Sequence, residues 1–169
     1  MARFLRWRSA ASLAVQLAVL CLLIAAFFVR PLQVSGLSME PLIRSGEYVL
    51  INTFAFRLGS PRRGEIVAFR HEGDARELFI KRVIAIAGDR IRIDRGVVYV
   101  NGVKLEEPYV LDADVRSISQ ITIPPAFVYL LGDNRAKSED SRSFGAVSDD
   151  RLIGRAVAGV WPPSMLGAL

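Results

Sequence analysis

The feature that most constrains this chain is an uncharged run from Ser9 to Val29, built mostly of Ala, Leu, Val, Ile and Phe. Gln16 is its only strongly polar side chain. A run of that length reaches across about 30 Å of hydrocarbon as a helix, so the pattern predicts a transmembrane helix over residues 9–29. Arg3, Arg6 and Arg8 precede it, Trp7 holds an interfacial position, and Arg30-Pro31 follows as a stop. More positive charge before the run than after it predicts residues 1–8 in the cytoplasm and residues 32–169 outside. That is a single-pass protein of the plasma membrane. A cleaved secretory leader fits less well, because the run exceeds the ~7–15-residue apolar core of such leaders. No small-x-small site follows either, Ser35-Gly36 coming closest.

Charge narrows the function classes. The formal net charge is +5, from 22 Lys+Arg against 17 Asp+Glu. Residues 1–31 hold four Arg and no acid, so the rest of the chain carries only +1. The basicity is terminal and topogenic, which argues against a nucleic-acid partner. One Cys (Cys21) and one His (His71) exclude an intramolecular disulfide and leave no Cys/His zinc centre. No metal and no cofactor is therefore expected. Only three of the 22 basic residues are Lys, namely Lys81, Lys104 and Lys137. Arg stays protonated at working pH, whereas a desolvated Lys can become a neutral base.

Beyond Leu32 the pattern turns to strands. Short runs rich in Val, Ile and aromatics occupy Tyr48–Asn52, Glu65–Phe69, Leu78–Ala87, Arg90–Asp94, Val97–Val100, Phe127–Leu131 and Leu152–Val160. Asn101-Gly102 predicts a two-residue type I′ hairpin turn. Regularly spaced short strands imply a closed or partly closed β-barrel, with residues 105–123 as an irregular excursion. The predicted fold class is thus mostly β, with a transmembrane helix ahead of a small barrel-like domain.

Two clusters carry candidate chemistry. The first is Val34-Ser35-Gly36-Leu37-Ser38-Met39-Glu40-Pro41-Leu42, where a Gly- and Pro-bounded loop can expose a Ser hydroxyl beside backbone N–H groups. The second runs from Gly132 to Gly145 and is dense in small polar and charged groups. It reads either as a solvated turn or as a buried scaffold in which Asp140 pairs with Arg142 and a Ser hydroxyl orients a base. A nucleophilic Ser needs a base. His71 stands in a charged stretch that reads as an exposed loop. Lys81 alternates with Phe79, Val83 and Ala85 on one strand face, opposite Ile80, Arg82, Ile84 and Ile86. Taken alone it reads as a snorkelling lysine or as a desolvated base.

Together these segments resemble the type I signal peptidase family, the Ser-Lys leader peptidases. Ser38-Met39-Glu40-Pro41 resembles its nucleophile box. Phe79-Ile80-Lys81-Arg82-Val83 with Gly88-Asp89 resembles its base box. Gly132-Asp133-Asn134-Arg135 through Ser138, Asp140-Ser141-Arg142 and Gly145 resembles its last box. The resemblance implies a serine endopeptidase that removes signal peptides from exported preproteins after Ala-x-Ala-type sites. It implies Ser38 as nucleophile, Lys81 as base, Ser138 hydrogen-bonded to Lys81, and Asp140 and Arg142 as braces. Leu42 stands where the family has Thr, and Gly36 where some members carry an oxyanion-binding Ser, so the backbone N–H of Ser38 is expected to bind the oxyanion. Val34, Gly36, Met39 and Ile80 are expected to shape the substrate pockets. The lipid bilayer is the second expected partner, reached by Leu42, Ile43 and Trp161-Pro162-Pro163. The alternatives are a self-cleaving Ser-Lys repressor-type protease and a non-catalytic membrane-tethered β-barrel binding module.

Overall fold

The structure, a computed structural model, describes residues 11–22, 28–71, 78–110 and 114–169. The expected cytoplasmic segment 1–8 lies outside them.

Residues 11–22 form helix α1. Among the described residues no helix is long and apolar enough to cross a membrane. The expected transmembrane helix over 9–29 is thereby corrected. Val29 already opens strand β1 (Val29–Gln33), which pairs antiparallel with β2 (Tyr48–Asn52) from Val29↔Asn52 to Gln33↔Tyr48. The backbone at that end is committed to a sheet ladder, which a helix cannot share.

The remaining elements are β3 (Ile66–Arg70), β4 (Leu78–Ile86), β5 (Arg90–Asp94), β6 (Val97–Val100), β7 (Val103–Lys104), β8 (Ile118–Thr122) and β9 (Phe127–Leu131). Helix α2 (Ser141–Phe144), β10 (Val147–Ser148), β11 (Leu152–Trp161) and β12 (Gly167–Ala168) complete the chain. The larger sheet runs β1-β2-β11-β3-β4-β9-β10, with β12 added on β11. It is open, since its end strands β1 and β10 do not pair, so of the closed and partly closed barrels expected it is the partly closed one, a half-barrel. A second sheet, β7-β6-β5-β8, stands apart. Its β6–β7 hairpin turns at Asn101 (φ 54°) and Gly102 (φ 84°), both positive as the type I′ expectation requires. The excursion over 105–123 is less irregular than expected, because β8 lies in it and pairs with β5.

Strands β3 and β4 are covered on both faces, which explains their near-continuous apolar sequence. Ile66, Ala68 and Ile80 pack with Val34, Met39 and Val49 on one side. Val67, Phe69 and Val83 pack with Val128 and Leu130 on the other. The expected strict alternation along β4 fails after Val83. Opposite β9 the register jumps from Val83↔Leu130 to Ala85↔Tyr129, a one-residue bulge at Ile84. Ala85 therefore joins Ile84 against the second sheet, and Ile86 takes the place beside Val83.

Candidate active site

The Val34–Leu42 loop is held at its ends and open in the middle. Val34 donates to Glu47 O at 2.8 Å and accepts from Gly46 N at 2.8 Å, while Ile43 N donates to Met39 O at 2.9 Å. Met39 and Ile43 are 1% and 0% exposed, so two apolar anchors fix the turn that carries Ser38. Burial of Ile43 also removes it from any lipid-facing surface, contrary to expectation. Leu42 and Trp161 are exposed. From the far side of the site, Asn134 N donates to Ser38 O at 3.0 Å.

Gly132 makes this approach possible. A Cβ there would stand 2.5 Å from Ser38 O and 2.2 Å from Ser138 Oγ. Any side chain would push the Ser38 loop off the 132–145 segment.

Lys81 lies in the doubly covered part of β4, opposite Val67, and is 2% exposed. Its Nζ donates to Ser38 Oγ at 2.8 Å and to Ile80 O at 3.1 Å, and stands 5.2 Å from the centre of the Phe79 ring. Among the described residues no carboxylate pairs with it directly. Burial lowers its amine from 10.5 to about 8, against the more distant charges of Asp140, Glu139 and Asp133, which act to raise it. At pH 8 about half of such amines are neutral, compared with roughly 0.4% for an ordinary lysine. A hydroxyl within hydrogen-bond reach of a part-neutral amine is the arrangement that acyl-transfer chemistry requires.

The expected support residues gather nearby, with one difference. Asp140 accepts from the Arg142 guanidinium through both carboxylate oxygens, at 2.8 and 2.7 Å, and from Gly132 N at 3.1 Å. Burial acts to raise the Asp140 carboxyl, but the Arg142 hydrogen bond and charge hold it below the usual range. The expected hydrogen bond from Ser138 to Lys81 is not formed. Ser138 Oγ is buried and makes no hydrogen bond to Nζ, which donates to Ser38 and Ile80; its hydroxyl acts on the Asp140 carboxyl, helping to lower it.

Val34, Gly36, Met39 and Ile80 line one cavity of about 340 Å³ together with Ser38 and Lys81. Lys137 and Glu139 line it too, two charged residues to which the motif pattern gave no role. Also missed were two arginine clamps behind the site and the second acid of a third, whose pairing with Asp140 was expected. Arg82 holds Asp133 at 2.9 and 2.6 Å and stacks on Tyr109, its guanidinium carbon 4.1 Å from the ring centre. Arg135 holds Glu107, and Arg142 holds Asp114 as well as Asp140. The strong bias toward Arg was the available signal. His71 is half-buried, its ring 5.1 Å from that of Phe79 and 4.8 Å from that of Phe144, while the rest of the stretch expected as an exposed loop lies outside the described residues.

A half-barrel holding a serine against a buried lysine defines a class, that of β-rich hydrolases working without an active-site histidine. The comparisons with known proteins are specific within it. Residues 6–161 match the family described as signal peptidase, peptidase S26. A probable signal peptidase I-2 of Synechocystis is 33% identical over 168 residues, which cover 96% of this chain and 77% of the relative. The signal peptidase I of Bacillus caldolyticus is 35% identical over 143 residues, covering 76% and 78%. A crystal structure of a signal peptidase I from Enterococcus faecalis aligns with a TM-score of 0.50 and 28% identity, over 57% of this chain and 97% of that one. The chain belongs to the signal peptidase family, peptidase S26. It is accordingly a serine peptidase, a hydrolase of signal-peptide processing.

Proposed function

We propose that the protein removes signal peptides from exported preproteins by Ser-Lys chemistry, with Ser38 as nucleophile and Lys81 as general base. The observation that carries this reading is the 2.8 Å separation between Lys81 Nζ and Ser38 Oγ at a buried amine. Neutral Lys81 takes the Oγ proton as Oγ bonds to the scissile carbonyl carbon. The negative charge moves to the carbonyl oxygen and meets the Ser38 N–H, which donates to no protein acceptor among the described residues. Collapse of this adduct breaks the C–N bond, and the Lys81 ammonium returns its proton to the leaving amine. Water, deprotonated by Lys81, then opens the acyl ester and frees Ser38.

In this reading Asp140 and Arg142 brace the loop behind the base, and the buried Ser138 hydroxyl is a partner that Nζ can take up once Oγ is acylated. The catalytic unit is residues 32–169. Substrate adds as an extended strand along the loop, and the cavity walls at Val34, Gly36, Met39 and Ile80 admit only small side chains, as Ala-x-Ala cleavage requires. The reaction takes place at a lipid surface. Exposed Leu37, Leu42, Trp161 and Leu166 support that location, at 42%, 39%, 58% and 68% exposure.

Cleavage of an added preprotein in trans tests the reading. Ser38→Ala and Lys81→Ala are each expected to lower kcat at least about 10⁴-fold. Persistent cleavage by either variant overturns it. Cleavage in cis only would favour the self-processing alternative.

A further inference from the structure

The excursion between β7 and β9 touches the site through two of its acids. Glu107 accepts from Arg135 Nη1 and Nη2 at 3.0 and 2.5 Å, and these two side chains are 10% and 4% exposed. Asp114 accepts from Arg142 Nη1 at 2.7 Å, and that arginine is 2% exposed. Both arginines then reach inward. Arg135 Nε donates to Gly132 O at 3.0 Å. Arg142 grips both oxygens of Asp140 and donates to Arg135 O at 2.8 Å. Asp140 in turn holds Gly132 N at 3.1 Å. Gly132 is the residue against which Ser38 O and Ser138 Oγ pack.

We propose that Glu107 and Asp114 are positioning residues for peptide cleavage, each orienting an arginine that fixes the Gly132–Asp140 segment against Ser38. The proposal rests on the Ser-Lys reading above and adds to it the part played by the excursion.

Three physical points carry it. A guanidinium buried to this degree is costly without a carboxylate, so Arg135 requires Glu107 where it stands. Arg142 has two acids, and Asp140 alone already satisfies its charge. Asp114 thus sets the direction of the fork more than it neutralises it, since the planar guanidinium must meet both carboxylates at once. The anchor is also firm on the other side. Arg116 bonds Asp114 through its side chain and backbone, and Gly96 N in the β5–β6 turn donates to Arg116 O at 3.0 Å. The second sheet therefore reaches the site through this carboxylate in addition to the apolar core it shares with Ile84 and Leu131. A displaced Arg142 shifts Asp140 and Gly132, and small misplacements of a reacting pair are expensive in rate.

The test is steady-state cleavage of a preprotein by the full chain, with thermal unfolding measured in parallel. Asp114→Asn and Glu107→Gln are each expected to lower kcat about ten- to hundredfold with KM within twofold. Glu106→Gln, exposed and one residue away, is expected to leave both constants unchanged. In an Arg142→Gln background, Asp114→Asn is expected to add less than a twofold further loss, because its path to the site has been removed. The proposal is overturned if the variants lower the unfolding temperature while kcat of the folded enzyme stays at the wild-type value, or if the losses multiply in the double variant. The two acids act through different arginines, so failure of one variant to fold leaves the other decisive. Activity surviving in Ser38→Ala would instead strike the underlying Ser-Lys reading, whatever the acid variants do.

Discussion

The molecule buries positive charge in two different ways, and they sit side by side. In the 132–145 segment and its neighbours every deeply buried arginine named above meets a carboxylate, Arg82 with Asp133, Arg135 with Glu107, and Arg142 with Asp140 and Asp114. One residue before Arg82 on the same strand, Lys81 is more deeply buried, and among the described residues its amine meets a hydroxyl, a carbonyl and the Phe79 ring but no carboxylate. The arginines are each paired with a carboxylate, so they hold the frame. The lysine is left unpaired, its amine falls to about 8, and it becomes available as a base. Adjacent positions on one strand thus serve structure and chemistry because of their partners and not because of their depth.

The difference can be broken from either side. The largest effect is expected on the lysine. Lys81→Arg keeps the charge but cannot lose its proton, so cleavage should fall at least about 10⁴-fold. In the wild type kcat/KM should rise with pH and level off above about 8, as the amine becomes neutral. A flat profile between pH 6 and 9, or an active Lys81→Arg, would remove the distinction.

On the arginine side the expected cost is in stability. Arg82→Met strands Asp133, which is 0% exposed, so unfolding stability should drop by about 3–5 kcal/mol in denaturant titration. Burial pushes the Asp133 carboxyl up even with Arg82 present, so the variant should recover part of the loss as pH falls toward 5.

Lys81→Met should act in the opposite direction. An amine lowered in the folded state binds fewer protons there than in the unfolded chain, so its penalty is full below about pH 8 and fades as pH rises toward 10.5. Replacing it with an apolar chain of similar size should therefore abolish cleavage yet raise stability at pH 7 by about 1–3 kcal/mol. Loss of stability in this variant would mean that the site is not strained by its lysine. The smallest effect belongs to Lys104, whose exposed side chain stands 4.0 Å from Glu106. Lys104→Gln should change stability by less than about 0.5 kcal/mol.

Much of this arrangement was legible in the chain. The β4 run was legible as a strand with apolar neighbours on both faces, and the lone lysine in it was marked by contrast with an Arg-rich composition. The Asn101-Gly102 turn was readable because only a few residues accept two positive φ angles. Other features were not. The bulge at Ile84 depends on how β9 meets β4, and nothing local to Ile84 encodes it. The Ser9–Val29 run has the composition of a spanning helix, but the pairing of Val29–Gln33 with β2 assigns its last residue to a sheet. Ser138 was expected as the hydrogen-bond partner of Lys81, whereas Nζ donates to Ser38 and Ile80, a choice decided by ångströms.

What the sequence determined by itself was therefore the set of chemical groups and their order along the chain: a serine in a Gly- and Pro-bounded loop, a lysine in an apolar strand, and a polar segment after a third strand. These are local properties of residue type and period. The tertiary structure decided the partners. It brought Lys81 to within 2.8 Å of a hydroxyl 43 residues away and gave the arginines their acids. It also placed Glu107 and Asp114 behind the site from a segment with no motif of its own. Such contacts are set by strand register and close packing across distant parts of the chain, so they follow only from the folded whole.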